Sequence, residues 1–264
     1  MIVIREPAVA GMFYPGNASE LRAGVQRLLD QVQFQPGSAP KALIAPHAGY
    51  AYSGPVAATA YARLRPYRDS YTRVILLGPC HQVAIRNLAL SGADVFRTPL
   101  GDVPLDKEVI AALDMTEVRV FEAAHQFEHS LEVHLPLLQI ALGPFTFVPL
   151  VIGDAAPETV AEVINILWGG AETLIVVSSD LSHYLGYDEA RARDQFTCEA
   201  IECLDAHRID HTDACGATPV RGLLIEAKRR AMEVTTLDLR NSGDTAGGKD
   251  QVVGYGAWMF SETS

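Results

Sequence analysis

Thr173-Leu-Ile-Val-Val177 is an apolar run of strand length, and Ser178-Ser-Asp-Leu-Ser-His183 follows it directly. Two earlier apolar runs, residues 42–45 and residues 73–77, are also followed within a few positions by a histidine. Short continuous apolar runs are typical of strands that are buried on both faces of a sheet. The three runs therefore predict three buried strands, each of which leads into a polar segment.

Helical and strand patterns alternate along the rest of the chain. Helical spacing begins at Ser19 and at Pro157, and it covers residues 56–64, 106–113, 130–142 (with a kink expected at Pro136), 188–204 and 219–231. Further strands are predicted at residues 145–152, 233–239 and 252–259, the last two paired antiparallel. This alternation predicts an α/β fold: a single three-layer domain over residues 1–264 with a mainly parallel or mixed central sheet.

Composition narrows the class of protein. The 264 residues are 48% hydrophobic, which suffices for one large core. No apolar stretch approaches the ~18–20 residues that a membrane span needs, and the amino terminus lacks a signal-peptide pattern. The net charge of −11 argues against nucleic acid as a partner, and four cysteines without a CxxC pair predict free thiols. We therefore expect a cytoplasmic protein that binds neither nucleic acid nor membranes.

Histidines follow all three apolar runs: His47, His81 and His183. Ligands of open α/β sheets bind beyond the carboxyl ends of strands, so these imidazoles are expected at one rim. Cys215 precedes a predicted helix, whose amino terminus favours the thiolate. Imidazole and thiolate ligate iron, copper and zinc, so His47, His81 and Cys215 form a predicted metal site, with His183 and Asp180 as acid–base groups. Spacing alone equally allows strand-end histidines that hydrogen-bond to the backbone.

A second cluster contains His129, Glu132 and His134. His129 and Glu132 are three residues apart and would share one face of a helix, while His134 would point elsewhere. This is not the HExxH zinc motif, so a hydrogen-bonded helix start that supports the pocket is expected rather than a ligand set. Tyr52 is a candidate pocket residue or a packing residue. The remaining cysteines (Cys80, Cys198, Cys203) are expected to be buried, and the remaining histidines (His125, His207, His211) to lie at the surface.

Several motifs, taken together, resemble one family. They are Arg5-Glu-Pro-Ala-Val-Ala-Gly-Met-Phe-Tyr-Pro15, Ala45-Pro-His-Ala-Gly-Tyr50, Leu77-Gly-Pro-Cys-His81, Glu128-His-Ser-Leu-Glu-Val-His-Leu-Pro136, Ser178-Ser-Asp-Leu-Ser-His183, Cys215-Gly-x-x-Pro219 and Gly254-Tyr-Gly-Ala257. In this order they resemble the Memo family, of the type called protein B of the AmmeMemoRadiSam system. The resemblance implies a fold similar to that of the class III extradiol dioxygenases of the LigB superfamily.

The resemblance also implies residue roles. His47 and His81 match the two metal-binding histidines of the family, Cys215 matches its cysteine, and Asp180 and His183 match the other polar pair of the pocket. Iron or copper is the implied cofactor, and radical-SAM and AMMECR-type proteins are the implied partners. Cys215 stands where ring-cleaving dioxygenases supply a carboxylate, and a thiolate prefers softer metals.

Three functions follow from these observations. The leading hypothesis is a non-haem Fe(II) or Cu redox protein, an oxidoreductase similar to a dioxygenase, that takes O2 or a small organic substrate at open metal positions. The second is a zinc-dependent hydrolase, since histidine and cysteine are also zinc ligands. The third is a non-catalytic protein that handles metal or binds a partner.

Overall fold

The computed structural model describes residues 2–33 and 37–262. The strands are β1 (Ile4–Arg5), β2 (Ala42–Ala45), β3 (Arg73–Pro79), β4 (Leu88–Leu90), β5 (Val95–Thr98), β6 (Gly101–Pro104), β7 (Val118–Val120), β8 (Thr146–Ile152), β9 (Thr173–Ser178), β10 (His183–Leu185), β11 (Glu233–Asn241) and β12 (Val252–Ser261). The α-helices are α1 (Ala18–Asp30), α2 (Gly54–Tyr61), α3 (Lys107–Ala112), α4 (His134–Leu142), α5 (Pro157–Ile166), α6 (Tyr187–Glu202) and α7 (Ala217–Arg229). No helix in these two ranges is long and apolar enough to cross a membrane.

One large mixed sheet organises the chain, with strand order β10-β12-β2-β9-β3-β8-β4-β7 and β11 paired along β12. The central strands β2, β9, β3 and β8 are parallel, so their carboxyl ends lie at one edge of the sheet. β12 runs antiparallel to both β2 and β11, as predicted for the last two strands. β1, β5 and β6 form a small separate sheet. The α/β prediction with a mixed central sheet is confirmed.

The central strands are buried on both faces because successive apolar side chains point to opposite sides. In β2, Leu43 packs into the core that contains residues of α1, α2 and α4. Its neighbour Ile44 packs into a second core, which contains residues of α5, α6 and α7. The sheet therefore lies between two helical layers, and every residue of β2 and β9 is buried.

The segment before α4 differs from its prediction. A helix was expected from residue 130, but α4 begins at His134, and residues 130–133 form turns. Pro136 consequently lies in the first helical turn, where its missing N–H costs nothing, and the expected kink has no cause. His129 and Glu132 do not share a helix face.

Other elements differ less. α2 covers Gly54–Tyr61 and continues as a 3₁₀ helix over Ala62–Tyr67, so the helix predicted at 56–64 spans two conformations. α6 and α7 begin one or two residues before their predicted starts. Asp106 caps α3 as predicted, its side chain accepting a hydrogen bond from the amide of Val109 at 3.1 Å.

Candidate metal centre

Three histidines meet where the carboxyl ends of the parallel strands converge. His47 follows β2 and His81 follows β3, whereas His129 comes from the turns before α4. The ring centroids are 5.2 Å apart for His47 and His81, 5.4 Å for His47 and His129, and 4.7 Å for the stacked pair of His81 and His129. One ring nitrogen of each lies within 4.8 Å of the other two. This spacing suits three ligands of one metal ion.

The hydrogen bonds of Ser178 fix the tautomer of His47. Ser178 Oγ donates its only proton to the carbonyl of Ser130 at 2.7 Å. The two imidazole nitrogens beside it, His47 Nδ1 at 2.6 Å and His134 Nε2 at 2.8 Å, must therefore both donate to it. Burial lowers the pKa of His47 well below its usual value, so the ring is neutral and its Nε2 carries a free lone pair.

His134 supports the hydrogen bonds of Ser178 from within the core. It is completely buried, and burial lowers its pKa to about 3. Its Nδ1 lies 2.6 Å from the hydroxyl of Tyr61, which donates to it because Nε2 holds the proton. A chain of hydrogen bonds thus runs from Tyr61 through His134 and Ser178 to His47.

Glu128 fixes the tautomer of His81, as Ser178 does for His47. Its carboxylate accepts from His81 Nδ1 at 2.9 Å and from the His81 amide at 2.5 Å. It also accepts from the amides of His129 and Ser130. Burial raises the pKa of Glu128, but these hydrogen bonds outweigh burial and bring the pKa to about 2. His81 Nδ1 therefore carries the proton, and Nε2 is the nitrogen available to a ligand.

His129 is half-buried, and its ring packs 4.9 Å from that of Phe13. Burial lowers its pKa, so this imidazole is also neutral. Its place beside His47 and His81 follows from the turns before α4 rather than from the helix spacing used in the prediction. Glu128, which the sequence prediction omitted, is the first residue of the same motif.

Glu132 lies away from the three histidines. It is fully buried and forms an ion pair with Arg5, and it accepts from the amides of Ala8 and Val9 and from the hydroxyl of Tyr14. Arg5 also donates to the carbonyl of Glu128 at 2.6 Å. The amino-terminal motif therefore holds the segment that carries Glu128 and His129.

Cys215 adjoins the histidines through His47, with 3.4 Å between its Sγ and Nε2. Its amide donates to the carbonyl of Asp180 at 3.2 Å, and its Sγ accepts from the Asp180 amide at 3.3 Å. Burial raises the pKa of the Cys215 thiol, and this effect outweighs the position of Cys215 before α7. The prediction that the start of α7 favours a thiolate is therefore wrong. The sulfur lies outside the group of mutually close ring nitrogens.

Asp180 and His183 occupy different depths. Asp180 is buried, and its Oδ1 accepts from the amide of His47 at 2.8 Å. Burial also raises the pKa of Asp180. His183 begins β10 and is exposed, within electrostatic range of both His47 and Asp180. Tyr52 is 44% exposed and lies in the turn before α2, close enough to Tyr255 to influence its pKa.

Of six other predictions about exposure, three are confirmed and three need correction. His125 is buried, not at the surface, and its Nε2 lies 3.0 Å from the carbonyl of Ala89. Cys203 is exposed and Cys80 half-buried, whereas Cys198 is buried as predicted. His207 and His211 are exposed as predicted.

The fold and this centre define an α/β protein with a cluster of three histidines at the carboxyl ends of parallel strands. The family model described as "Memo-like protein" matches residues 5–259, and the chain belongs to the Memo family. Relatives named "MEMO1 family protein" are 36% identical in Methanococcoides burtonii (96% of this chain, 98% of the relative), 35% in Sulfolobus acidocaldarius (98% and 100%) and 36% in Aquifex aeolicus (97% and 99%).

A solved structure also resembles the chain. The crystal structure of the uncharacterized protein JW3007 from Escherichia coli K12 superposes with a TM-score of 0.49 at 13% identity, covering 81% of this chain and 98% of that one.

Proposed function

We propose that this Memo-family protein binds one Fe(II) or Cu ion and acts as a redox protein, with the Nε2 atoms of His47 and His81 as ligands. His129 and Cys215 both adjoin His47 and are the two candidates for the third ligand. Imidazoles and a thiol form a donor set that suits iron, copper or zinc. A bound Fe(II) or Cu ion would supply electron-transfer chemistry and open positions for O2 or a small organic substrate.

The observation that carries this proposal is how the imidazoles of buried His47 and exposed His81 are held. Metal-binding histidines usually donate their second N–H to a carboxylate or another polar group, which fixes the tautomer and aims the other nitrogen. Ser178 does this for His47 and Glu128 does it for His81. Among residues 2–33 and 37–262, no group forms a hydrogen bond with the Nε2 of His81. Histidines that only satisfy the backbone need no such pair of supports.

Asp180 and His183 are proposed as the acid–base groups beside the metal. Asp180 holds the backbone of His47 and lies with its Oδ2 4.0 Å from His47 Nε2. The exposed imidazole of His183 is open to solvent and is suited to take a proton from, or give one to, a molecule in the pocket. If a His183→Ala protein consumes O2 and turns over substrate as the wild type does, this role for His183 is wrong.

The three-histidine group favours a second candidate, a zinc-dependent hydrolase. Three imidazoles with an open fourth position are a common catalytic zinc site, in which the metal activates water. Activity that is retained with zinc and absent with iron under anaerobic conditions would select this candidate.

Elemental mass spectrometry of protein purified without oxygen tests the site. We expect close to one metal ion per wild-type chain, and loss of the metal in folded His47→Ala and His81→Ala proteins. Of His129→Ala and Cys215→Ala, the variant that loses metal identifies the third ligand. His207→Ala, which removes an exposed histidine, should bind as the wild type does. Wild type that accepts no metal, or His47 and His81 variants that bind normally, would refute the proposal.

Proton release gives an independent answer about the third ligand. Burial raises the pKa of the Cys215 thiol, so ligation by Cys215 near neutral pH must displace about one proton. Ligation by neutral His129 displaces none. Calorimetric titration of chelator-treated protein with zinc, in buffers of different ionisation enthalpy, counts these protons.

The setting of the protein is part of the proposal. The four cysteines are free thiols, as expected in the reducing cytoplasm. Radical-SAM and AMMECR-type proteins are the partners that family membership suggests, and affinity purification of the tagged chain from its own cells would test for them.

A further inference from the structure

Tyr255 is the exception among the buried tyrosines. The hydroxyls of Tyr14, Tyr50, Tyr61 and Tyr71 are bonded to Glu132, the Val133 carbonyl, His134 and the Pro40 carbonyl, respectively. Tyr255, in β12, is only 2% exposed, yet its hydroxyl has no hydrogen-bond partner in the part of the chain that the structure describes. The side chain is buried, but its oxygen is not among the buried polar atoms that lack a partner, so the oxygen retains access to solvent and is free to bond to a bound molecule.

The hydroxyl of Tyr255 lies beside the candidate metal centre. Asp180, Tyr52 and Tyr184 are all close enough to raise its pKa, after the larger effect of burial. The preceding residue, Gly254, exchanges backbone hydrogen bonds of 2.8 Å with Leu181 and Ser182. Because the oxygen lacks a partner and yet is not sealed from solvent, it borders an open space on the Asp180 side of the site.

The register of the sheet places Tyr255 next to the centre. Trp258 pairs with Ile44 in the antiparallel ladder of β12 and β2. Extending that register by three residues beyond the last pairs brings Tyr255 opposite His47. The two residues therefore belong to neighbouring strands at the same level of the sheet, where β2 has just ended.

Hydrogen-bond donors dominate this opening. Tyr52, Tyr184 and Tyr255 contribute hydroxyls, and His183 contributes an imidazole. The nearby carboxylates already accept hydrogen bonds, Asp180 from the amide of His47 and Asp194 from the amide of Ser182. Tyr184 is 70% exposed and has φ of 58°, a left-handed conformation that is uncommon for a residue with a side chain. The chain therefore accepts backbone strain where it presents this side chain at the opening.

We propose that Tyr255 contacts the ligand of this site, and that its hydroxyl donates a hydrogen bond to a carboxylate of a small molecule. A carboxylate offers only acceptor oxygens, so it matches an opening lined by donors. Hydrogen bonds from a neutral donor to a carboxylate are also stronger than those to a neutral acceptor. The inference rests on the proposed function for the location of the pocket.

Tyr255→Phe tests the proposal by removing one oxygen atom. Calorimetry measures the binding of acetate and benzoate, and of their neutral counterparts acetamide and benzamide, to chelator-treated and to zinc-loaded protein. We expect wild type to bind at least one acid more tightly than its amide, and Tyr255→Phe to bind that acid roughly 10- to 100-fold more weakly. Tyr71→Phe, which removes a buried hydroxyl at the other end of the sheet, should bind as wild type does.

The midpoint of urea unfolding is the second measurement. Tyr255→Phe breaks no hydrogen bond, so its urea midpoint should match or exceed that of wild type, whereas Tyr71→Phe loses the bond to Pro40 and should unfold earlier. Equal affinity of wild type and Tyr255→Phe for every acid, or no binding of any acid at 10 mM (about the weakest useful range for a small ligand), refutes the inference. Failure of the metal proposal shows differently, as wild type that takes up no zinc.

Discussion

Replacing Ser178 by alanine removes one atom, Oγ, and with it three buried hydrogen bonds. The variant leaves the ring N–H groups of His47 and His134 and the carbonyl of Ser130 without their partner. All three residues are at most 2% exposed, so bulk water does not reach the orphaned groups. At about 1 kcal/mol for each lost bond, and more for each group left unsatisfied, the free energy of unfolding should fall by about 3–5 kcal/mol.

Urea unfolding of chelator-treated protein, followed by the fluorescence of buried Trp258, measures this loss. Ser53→Ala is the matched control, because Ser53 is equally buried but makes one side-chain hydrogen bond, to the Ala48 carbonyl at 2.7 Å. We expect the control to lose about 1 kcal/mol. A Ser178→Ala protein that loses no more than the control would show that the serine does not hold the histidines as described.

The same substitution should weaken metal binding. Without Ser178, the neutral ring of His47 is free to carry its proton on Nε2, the nitrogen that faces the cluster. Loss of such a supporting group typically lowers metal affinity 10- to 100-fold. Competition with a chromophoric zinc chelator measures this ratio, and Ser53→Ala should leave it unchanged.

Three further outcomes are expected. A side chain at Gly216 would approach the Ser178 carbonyl to 2.5 Å, so Gly216→Ala should lower the free energy of unfolding by about 2 kcal/mol or more in urea titrations, whereas Gly186→Ala, in open space, should not. Burial raises the pKa of Asp194 to about 6, so folding takes up a proton and wild-type stability should fall by about 2 kcal/mol relative to Asp194→Asn as pH rises from 4 to 6.5. Because burial raises the pKa of Cys215, iodoacetamide at pH 7.5 should alkylate exposed Cys203 first in metal-free protein, as peptide mass spectrometry would show.

The strand ends were predictable because a physical rule connects them. Parallel strands end at the same edge of a sheet, so apolar runs followed by His47 and His81 predicted that these imidazoles would meet. The rule applies less directly to His183, because four residues separate it from the end of β9 at Ser178. The chain uses those residues to cross to β12, and His183 consequently lies exposed at the rim.

Residues outside strand ends were harder to predict. Glu128 and His129 reach the centre through turns whose shape depends on contacts with Arg5, more than a hundred residues away in the chain. The spacing of residues within the motif does not reveal such a long-range contact. The three-residue interval from His129 to Glu132 therefore wrongly indicated a helix. Tyr255 shows a related limit: the strand pattern predicts which face a side chain occupies, but not whether its hydroxyl finds a partner.

Charge connects the two open questions about the site. His47 and His129 are neutral, the Cys215 thiol is protonated, and burial opposes ionisation of Asp180, so Glu128 is the one firm negative charge among the groups around the histidines. A divalent ion held by three imidazoles would leave the centre with about one uncompensated positive charge, which favours a further anionic group beside the ion. Either the thiolate of Cys215 or an anionic ligand can balance it. A histidine third ligand therefore predicts that carboxylate binding depends strongly on zinc, and a cysteine third ligand predicts that the dependence is weak.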